Sequence, residues 1–214
     1  PLSGLLARGM PGFVMAGDLQ QLELGWSGPL EDLARFEFSR DLPRLRLRAR
    51  LDRLGLVGVD GVPAFSGLSG DLQSSGDGGS FILAGKEMTL ASERFLRRPE
   101  IQTKEARGQV RWEGLGLAPP QAGSDWPRLA AVALEFRSLV IRNDDLTLNL
   151  DGRWAYAGED LGQADLRGTL GGVQPERVAE YLPRALGQET HAWIARAFRS
   201  GRPVSGQWEL RGPL

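Results

Sequence analysis

Apolar and polar residues alternate with a period of two along most of the chain. The clearest run spans residues 45–51, where apolar side chains occupy every odd position and arginine stands between them. Successive side chains of a β-strand point to opposite faces, whereas a helix would scatter these residues around its circumference. The run therefore predicts a strand with one apolar face and one polar face.

The same alternation recurs along the chain and predicts an all-β fold. Turn residues separate the runs at 76–79 and 142–145, and Asp151-Gly152 is typical of a two-residue hairpin. This spacing predicts about ten to thirteen strands of roughly 5–10 residues in an antiparallel meander. The other runs are marked by Phe36 and Phe38; Phe81 and Leu83; Gly108, Val110 and Trp112; Val132, Leu134 and Phe136; Leu146, Leu148 and Leu150; Trp154 and Tyr156; Leu166, Gly168 and Leu170; and Val204, Gly206, Trp208 and Leu210.

One segment, at about residues 174–200, has helical spacing and predicts a helical hairpin before the last strand. Pro175 suits a first helical turn, Pro183 ends or kinks the first helix, and Gly201 suits the C-cap of the second. The apolar stripe of the first helix is Val178, Tyr181, Leu182 and Leu186, and that of the second is Trp193, Ile194, Ala197 and Phe198.

Composition narrows the class of protein. Hydrophobic residues make up 41% of the 214 residues and the net charge is −1, so the chain is not of the disordered class. The balanced charge argues against a nucleic-acid-binding protein, which usually carries a basic excess. The absence of cysteine excludes disulfides, thiolate metal sites and a cysteine nucleophile.

The ends of the chain predict a fragment of a longer protein. The chain begins without Met, ends just after a strand-like run, and has no apolar run approaching about 18 residues, so no transmembrane helix is predicted. Any anchor or targeting signal would lie outside it. The Pro- and Gly-rich residues 118–125 read as a loop within one sheet, so residues 1–214 are predicted to form a single β unit.

Three segments of the sequence could form a catalytic or ligand-binding site, but each is more typical of a residue or turn with a structural role. His191 beside Glu189 could be a general base, but no nucleophile accompanies it, which favours a surface or half-buried helix residue. Residues 143–145 lack the further ligands of a calcium loop, and residues 76–79 lack the lysine and helix of a phosphate loop. No catalytic residue, metal site or cofactor is predicted.

The strand faces are the remaining signal. The arginines at 44, 46, 48 and 50 could meet lipid phosphates, although a solvated strand face is the more typical interpretation. The apolar faces could bury each other in a closed sandwich, or could line an open groove for an apolar ligand. Burying an acyl chain is favourable by about 0.8 kcal/mol per methylene. The pattern alone does not separate these two alternatives.

A set of short motifs resembles the YhdP-type AsmA-like proteins, in which a "YLP" helix precedes a "W-L/I-x-x-A" helix and a glycine-rich strand. The motifs follow the family's order between residues 63 and 212. They are Pro63-Ala64-Phe65-Ser66-Gly67-Leu68-Ser69-Gly70-Asp71-Leu72, Gly108-Gln109-Val110-Arg111-Trp112, residues 139–146 around Asn143, Tyr181-Leu182-Pro183, residues 193–198 around Trp193, and residues 201–212.

The resemblance implies a non-enzymatic segment of a long periplasmic protein of Gram-negative bacteria. Such proteins are anchored in the inner membrane and carry phospholipid between the two membranes along a β-groove, which maintains the outer-membrane permeability barrier. The expected partners are phospholipid acyl chains, neighbouring segments of the same chain and membrane proteins at the two ends, with no nucleic acid.

Together these arguments predict a long, twisted, mostly antiparallel sheet curled into an open hydrophobic groove, with the helical hairpin near its C-terminus. A structural or protein-binding β-sandwich with a closed core is the alternative, and a hydrolase using His191 is a remote third. The predicted groove lining is Phe36, Phe38, Leu45, Leu47, Leu51, Phe81, Leu83, Val110, Trp112, Val132, Leu134, Phe136, Leu146, Leu148, Leu150, Leu166 and Leu170.

Overall fold

A computed structural model describes most of the chain, and its dominant feature is one eleven-stranded sheet. The described residues are 15–34, 41–56, 64–91, 98, 100–118, 128–158, 162–181, 187–197, 199–202 and 204–213. The strands are β1 (Met15–Trp26), β2 (Leu45–Leu56), β3 (Ala64–Ser75), β4 (Gly78–Gly85), β5 (Thr89–Ala91), β6 (Glu100–Gln102), β7 (Glu105–Ala118), β8 (Arg128–Arg142), β9 (Thr147–Tyr156), β10 (Gln163–Val173) and β11 (Val204–Pro213).

The sheet is an antiparallel meander. Its order is β1-β2-β3-β4-β7-β8-β9-β10-β11, while β5 pairs with the first residues of β3 and β6 pairs with β5. The two edge strands of the described sheet, β1 and β11, are not paired with each other, so the sheet is open. This confirms the predicted open antiparallel sheet, and the described strands do not form the two packed sheets of the alternative sandwich.

The turns predicted at 76–79 and 142–145 are present but differ at their ends, since they occupy residues 76–77 and 143–146. β3 ends at Ser75 and β4 begins at Gly78, while β8 ends at Arg142 and β9 begins at Thr147. Residues 119–127 lie outside the described part, but β7 and β8 on either side of them pair with each other. The Pro- and Gly-rich stretch therefore connects two neighbouring strands of one sheet.

The predicted hairpin at Asp151-Gly152 is wrong, because both residues lie inside β9. β8 carries an extra residue opposite them, and the Ser138 N–H donates to Asp151 Oδ1 at 2.7 Å. Gly152 has a φ of +134°, and a Cβ there would overlap the Asp165 carbonyl oxygen. The Asp-Gly pair therefore accommodates a bulge in the neighbouring strand, which lets β8 extend to 15 residues.

The helical segments are short. A helix, α1 (Leu30–Ala34), and a 3-10 turn (Leu42–Arg44) lie between β1 and β2. A 3-10 helix (Pro175–Tyr181) and a helix, α2 (Gln188–Ala197), lie between β10 and β11, where the hairpin is predicted. The first helix of the predicted hairpin is thus a 3-10 helix, and it begins with a hydrogen bond from the Arg177 N–H to the Gln174 carbonyl. Leu182, Pro183, Leu186 and Phe198 lie outside the described residues.

Strand register sorts the sheet into one apolar and one polar face. Directly paired residues share a face in an antiparallel sheet, so the pairing can be followed from edge to edge. One apolar row crosses all nine strands of the main order: Leu22, Ala49, Leu72, Phe81, Val110, Phe136, Gly152, Leu166 and Leu210. The adjacent row, one residue along each strand, is polar: Glu23, Arg48, Gln73, Ser80, Arg111, Glu135, Arg153, Asp165 and Arg211.

The core of the sheet lies on its apolar face. Alanines there are covered by their larger neighbours: Ala49, Ala106 and Ala164 are 7%, 0% and 6% exposed, whereas Ala84 on the polar face is exposed. The core centres on a buried cluster of Leu83, Ala106 and Leu139.

Candidate functional site

The apolar face is the candidate functional site, and we define it as the side of the sheet on which Phe81 lies. Every predicted lining residue that falls in a described strand is on this face, because the register connects them directly or through alternating positions. These residues are Leu45, Leu47, Leu51, Phe81, Leu83, Val110, Trp112, Val132, Leu134, Phe136, Leu148, Leu150, Leu166 and Leu170.

Three predicted lining residues differ from this set. Leu146 lies in the turn between β8 and β9, where its N–H is bonded to Asn143 Oδ1 at 2.9 Å. Phe36 and Phe38 lie outside the described residues. The alternation at Leu146 therefore extends the strand pattern one residue too far, because the turn has already begun there.

The apolar face is only partly covered. Leu83 and Val132 are buried, but the other predicted lining residues in the strands are half-buried. Exposure increases toward both edges of the sheet, to 48% at Leu24 on β1 and 42% at Leu210 on β11. Exposed large apolar side chains that share one face mark a surface that can bind an apolar partner.

Further residues share the apolar face and extend it to both edge strands. The sequence alternation predicts strands around Trp154 and Trp208, so several of these residues could have been assigned to the face from the sequence. In β1 a register irregularity between Leu19 and Gln21 interrupts the period of two, so the sequence pattern does not predict that strand. The additional residues are Leu22, Leu24, Leu68, Leu72, Leu139, Ile141, Trp154, Tyr156, Ala164, Trp208 and Leu210.

Glycines leave room for indole rings on this face. A Cβ at Gly79 would overlap Cζ2 of Trp112, which is its cross-strand partner, and a Cβ at Gly168 would lie 3.0 Å from Cζ2 of Trp208. Each ring therefore lies flat across the neighbouring strand. The glycines make the apolar face smoother, because the indole rings fill the space that their missing side chains leave.

The polar face carries ion pairs between strands. Arg50 Nε binds Asp71 Oδ1 at 2.8 Å, and Arg48 lies 3.8 Å from Glu23. The side chains involved are 43% to 76% exposed, so such pairs add little to stability. Two of the arginines of the predicted ladder are thus paired with carboxylates on neighbouring strands, which favours the solvated-face interpretation over lipid phosphate binding.

A polar network joins the 3-10 helix to the end of the sheet that we call the rim: the turn between β8 and β9 and the neighbouring ends of β4, β6 and β10. Tyr181 OH donates to Asp145 Oδ2 at 2.6 Å and accepts from Asn143 Nδ2 at 2.7 Å. Arg98 Nη1 donates to the same Asp145 oxygen at 2.9 Å and lies 3.5 Å from Glu180. These contacts attach the helical segment to the sheet.

The network changes the acidity of two of its members. Burial raises the pKa of Tyr181 to about 12, and its hydrogen bond to Asp145 acts in the same direction. Burial by itself would raise the pKa of Asp145, but hydrogen bonds from Tyr181 and Arg98 and the charges of Arg98 and Arg177 outweigh it and lower that pKa. The phenol therefore stays a donor and the carboxylate stays ionised at neutral pH.

His191 is more buried than the sequence predicts. It is 3% exposed, whereas Trp193 is 62% exposed, so the buried side of α2 is not the predicted Trp193 stripe. His191 lines a cavity between α2 and the 3-10 helix together with Ala179, Ala192 and Ala195, of which Ala192 and Ala195 are exposed. The only buried side chain of α2 among the described residues is therefore a polar one.

The described part of the chain offers no candidate metal centre. It contains no group of three or more His, Asp or Glu side chains that could hold a metal ion. Nor does any helix in the same part have the length and apolar character needed to cross a membrane.

Comparison with known proteins identifies the family. The model of the YhdP protein family matches residues 13–214, which is most of the chain. Searches of curated proteins and of solved structures give no significant match. The match covers the whole described sheet with its helical insert, and it agrees with the family that the sequence motifs resemble. The chain therefore belongs to the YhdP protein family, which is of the AsmA-like lipid-transport type.

Proposed function

We propose that this chain is a segment of a periplasmic protein that carries phospholipid between the inner and outer membranes, with the acyl chains on the apolar face. It acts as a carrier rather than as an enzyme. The observation that carries the proposal is the apolar row across nine strands, on a face whose side chains are mostly half-buried in the middle and reach 48% exposure at Leu24 on β1 and 42% at Leu210 on β11. The family membership supports lipid as the ligand.

The dimensions of the face suit an acyl chain. Neighbouring strands lie about 4.8 Å apart, so the eight spacings of the row extend over about 38 Å. A chain of fourteen methylenes would gain on the order of 10 kcal/mol if its surface were fully removed from water. The gain is spread over many contacts, so the lipid can move along the row without any single strong bond breaking.

Neighbouring segments of a longer chain are the proposed partners at the two edges. β1 and β11 each have one side without a strand partner in the described sheet, and apolar side chains are exposed beside both. An unpaired edge offers N–H and C=O groups to another strand, which would continue the sheet. In this proposal the full-length protein is anchored in the inner membrane, and membrane proteins bind at its ends.

The proposal is tested by placing a carboxylate on either side of one strand. Leu47→Glu puts the charge on the apolar face, while Arg46→Glu puts it on the polar face one residue away, where Arg46 has no recorded ion pair within the described residues. Lipid over Leu47 would have to desolvate the charge. We expect lipid occupancy in native mass spectrometry to fall at least about tenfold in Leu47→Glu and to stay within about twofold in Arg46→Glu.

Leu24→Glu provides a second test that does not depend on a half-buried position, since Leu24 is 48% exposed. Circular dichroism of each variant verifies that the sheet is intact. Equal lipid occupancy in the variants of both faces, or no lipid on the unmodified chain, would contradict the proposal.

A further inference from the structure

A cavity of about 500 Å³ lies at the rim and adjoins the apolar face. Met88 connects the two, because it lines the cavity and also packs against the buried cluster of Leu83, Ala106 and Leu139. If acyl chains lie on the apolar face parallel to the strands, with their polar ends toward the turn between β8 and β9, the head group of the same lipid lies at the rim, within reach of this cavity. The volume is within the range of small-ligand sites.

The cavity contains charges of both signs. Arg98, Lys104 and Arg177 supply three cations, and Glu87, Asp144 and Asp145 supply three carboxylates. The cations are held close together: Arg98 and Arg177 both contact Glu180, at 3.5 Å and 2.7 Å, while Lys104 binds Asp144 and Arg98 binds the adjacent Asp145. A ligand that matches this arrangement is itself zwitterionic.

The cations keep donors for a further acceptor. The recorded side-chain hydrogen bonds of Arg98 within the described residues all use Nη1, and that of Arg177 also uses Nη1. A guanidinium has five N–H donors and an ammonium three. A phosphate could therefore bind to Arg98, Arg177 and Lys104 without displacing their carboxylate partners.

Two other lining residues have unsatisfied or strained features. Thr103 is 7% exposed, and its Oγ1 is buried without a hydrogen-bond partner. Glu87 has a φ of +56° and no recorded ion pair within the described part of the chain. The unpartnered Thr103 hydroxyl therefore offers a hydrogen-bonding group to a ligand in the cavity, and the Glu87 carboxylate offers a negative charge that is unpaired among the described residues.

We propose that this rim cavity binds the zwitterionic head group of a phospholipid, with its phosphate on Lys104, Arg98 and Arg177 and its ammonium on Glu87. The phosphoethanolamine head group has this chemistry. The inference rests on the proposed function, because the acyl chains on the apolar face bring the head group to the rim. It adds a preference among lipids that the apolar face alone does not provide.

Two lipids with the same acyl chains test the site. Native mass spectrometry of the whole 214-residue chain compares phosphatidylethanolamine, which is zwitterionic, with phosphatidylglycerol, which lacks the ammonium. We expect the chain to prefer phosphatidylethanolamine by about tenfold, and Glu87→Gln to abolish that preference by weakening only the zwitterionic lipid. Lys104→Gln should weaken both lipids, while Lys86→Gln, a matched control at an exposed position outside the cavity, should weaken neither.

Soluble compounds distinguish a head-group site from a simple phosphate site. Glycerophosphoethanolamine and inorganic phosphate are titrated separately, and amide NMR shifts are followed. Shifts at Glu87, Thr103 and Lys104 with glycerophosphoethanolamine, and weaker ones with phosphate, support the proposal. Equal shifts with inorganic phosphate would overturn the zwitterionic assignment. If both lipids bind equally well, and the binding is unaltered in Glu87→Gln and Lys104→Gln, the head-group site is overturned but the proposal of lipid carriage stands. If neither lipid binds, lipid carriage itself is overturned.

Discussion

Glycine serves two separate purposes in this sheet, and both depend on the neighbour across the strand. At Gly152 the positive φ accommodates the bulge of β8, where a side chain would be strained. At Gly79 the backbone is not in that region, and the missing side chain instead makes room for the Trp112 ring. The sequence predicts bends at glycines within strands, but it does not show which glycine lies beneath an indole, because that depends on register.

A methyl group at Gly79 is therefore expected to destabilise the sheet, because it would overlap both the Trp112 ring and the backbone carbonyl oxygen of Gln73. Overpacking of this kind costs about 1–3 kcal/mol, so the free energy of unfolding of Gly79→Ala should fall by that amount in urea denaturation. Gly206→Ala is the control on the same face, since a Cβ there meets nothing within 4 Å. An equal loss in both variants would mean that neither the Trp112 ring nor the Gln73 carbonyl approaches Gly79 closely.

At the scale of elements, the rim network joins two motifs that are far apart in the sequence. Asn143 belongs to the turn between β8 and β9, and its Oδ1 accepts the N–H groups of Asp145 and Leu146 while its Nδ2 donates to Tyr181. Tyr181 ends the described part of the 3-10 helix and donates to Asp145. The turn motif and the "YLP" motif are thus two halves of one attachment.

The lowered pKa of Asp145 makes this attachment sensitive to acid. A carboxyl whose folded pKa is below its unfolded value of about 3.9 stabilises the fold above that pH, and the contribution is lost as the pH falls through the folded value. We expect Asp145→Asn to lower the free energy of unfolding by about 1–2 kcal/mol at pH 7. The difference from the unmodified chain should persist at pH 5 and shrink below about pH 4.

Asp144→Asn is the control for this experiment. Its side chain is 78% exposed, so its bond to Lys104 should contribute less than about 1 kcal/mol at any pH. Denaturation curves that show the same pH dependence for both variants would contradict a specific role of Asp145.

The raised pKa of Tyr181 makes its contribution to stability sensitive to high pH, whereas that of Asp145 is sensitive to low pH. A phenol whose folded pKa is about 12 contributes stability below its unfolded value of about 10, and the contribution is lost as the pH rises toward 12. The chain has 2 tyrosines, so Tyr156→Phe leaves Tyr181 alone for titration by phenolate absorbance. We expect a midpoint near 12 in the folded variant and near 10 in denaturant; a folded midpoint near 10 would show that the phenol is not held by Asp145.

Strands were more predictable than helices for a physical reason. A period of two needs only four to six residues to show, and β2, β4, β7, β8, β10 and β11 all lie where the alternation predicts them, while β9 is one strand in place of two predicted ones. The helical insert is attached to the sheet by tertiary contacts, above all the Tyr181 network, and these leave no periodic signal. The burial of His191 and the 3-10 geometry of the first segment are likewise not visible in the period.

At the scale of the whole molecule, the register gives the sheet its two unlike faces. The apolar row at Phe81 and the polar row at Ser80 are one residue apart on every strand, so a slip of one residue in any strand would exchange the two faces there. The sequence predicts which residues share a face. It does not separate a closed sandwich from an open sheet, because the alternation is the same in both. The structure makes that distinction, because its described strands form one open sheet and not two packed ones.

The central claim is that lipid lies on the apolar face and not on the polar one. Phe81 and Ile82 are adjacent apolar residues of β4 on opposite faces, and Ile82 is 49% exposed. The most direct measurement places a photoreactive benzoyl-phenylalanine at either position in living Gram-negative cells and determines the mass of the cross-linked product. The account predicts a phospholipid adduct at position 81 and none at position 82. Adducts at both positions in equal yield, or at position 82 alone, would contradict it.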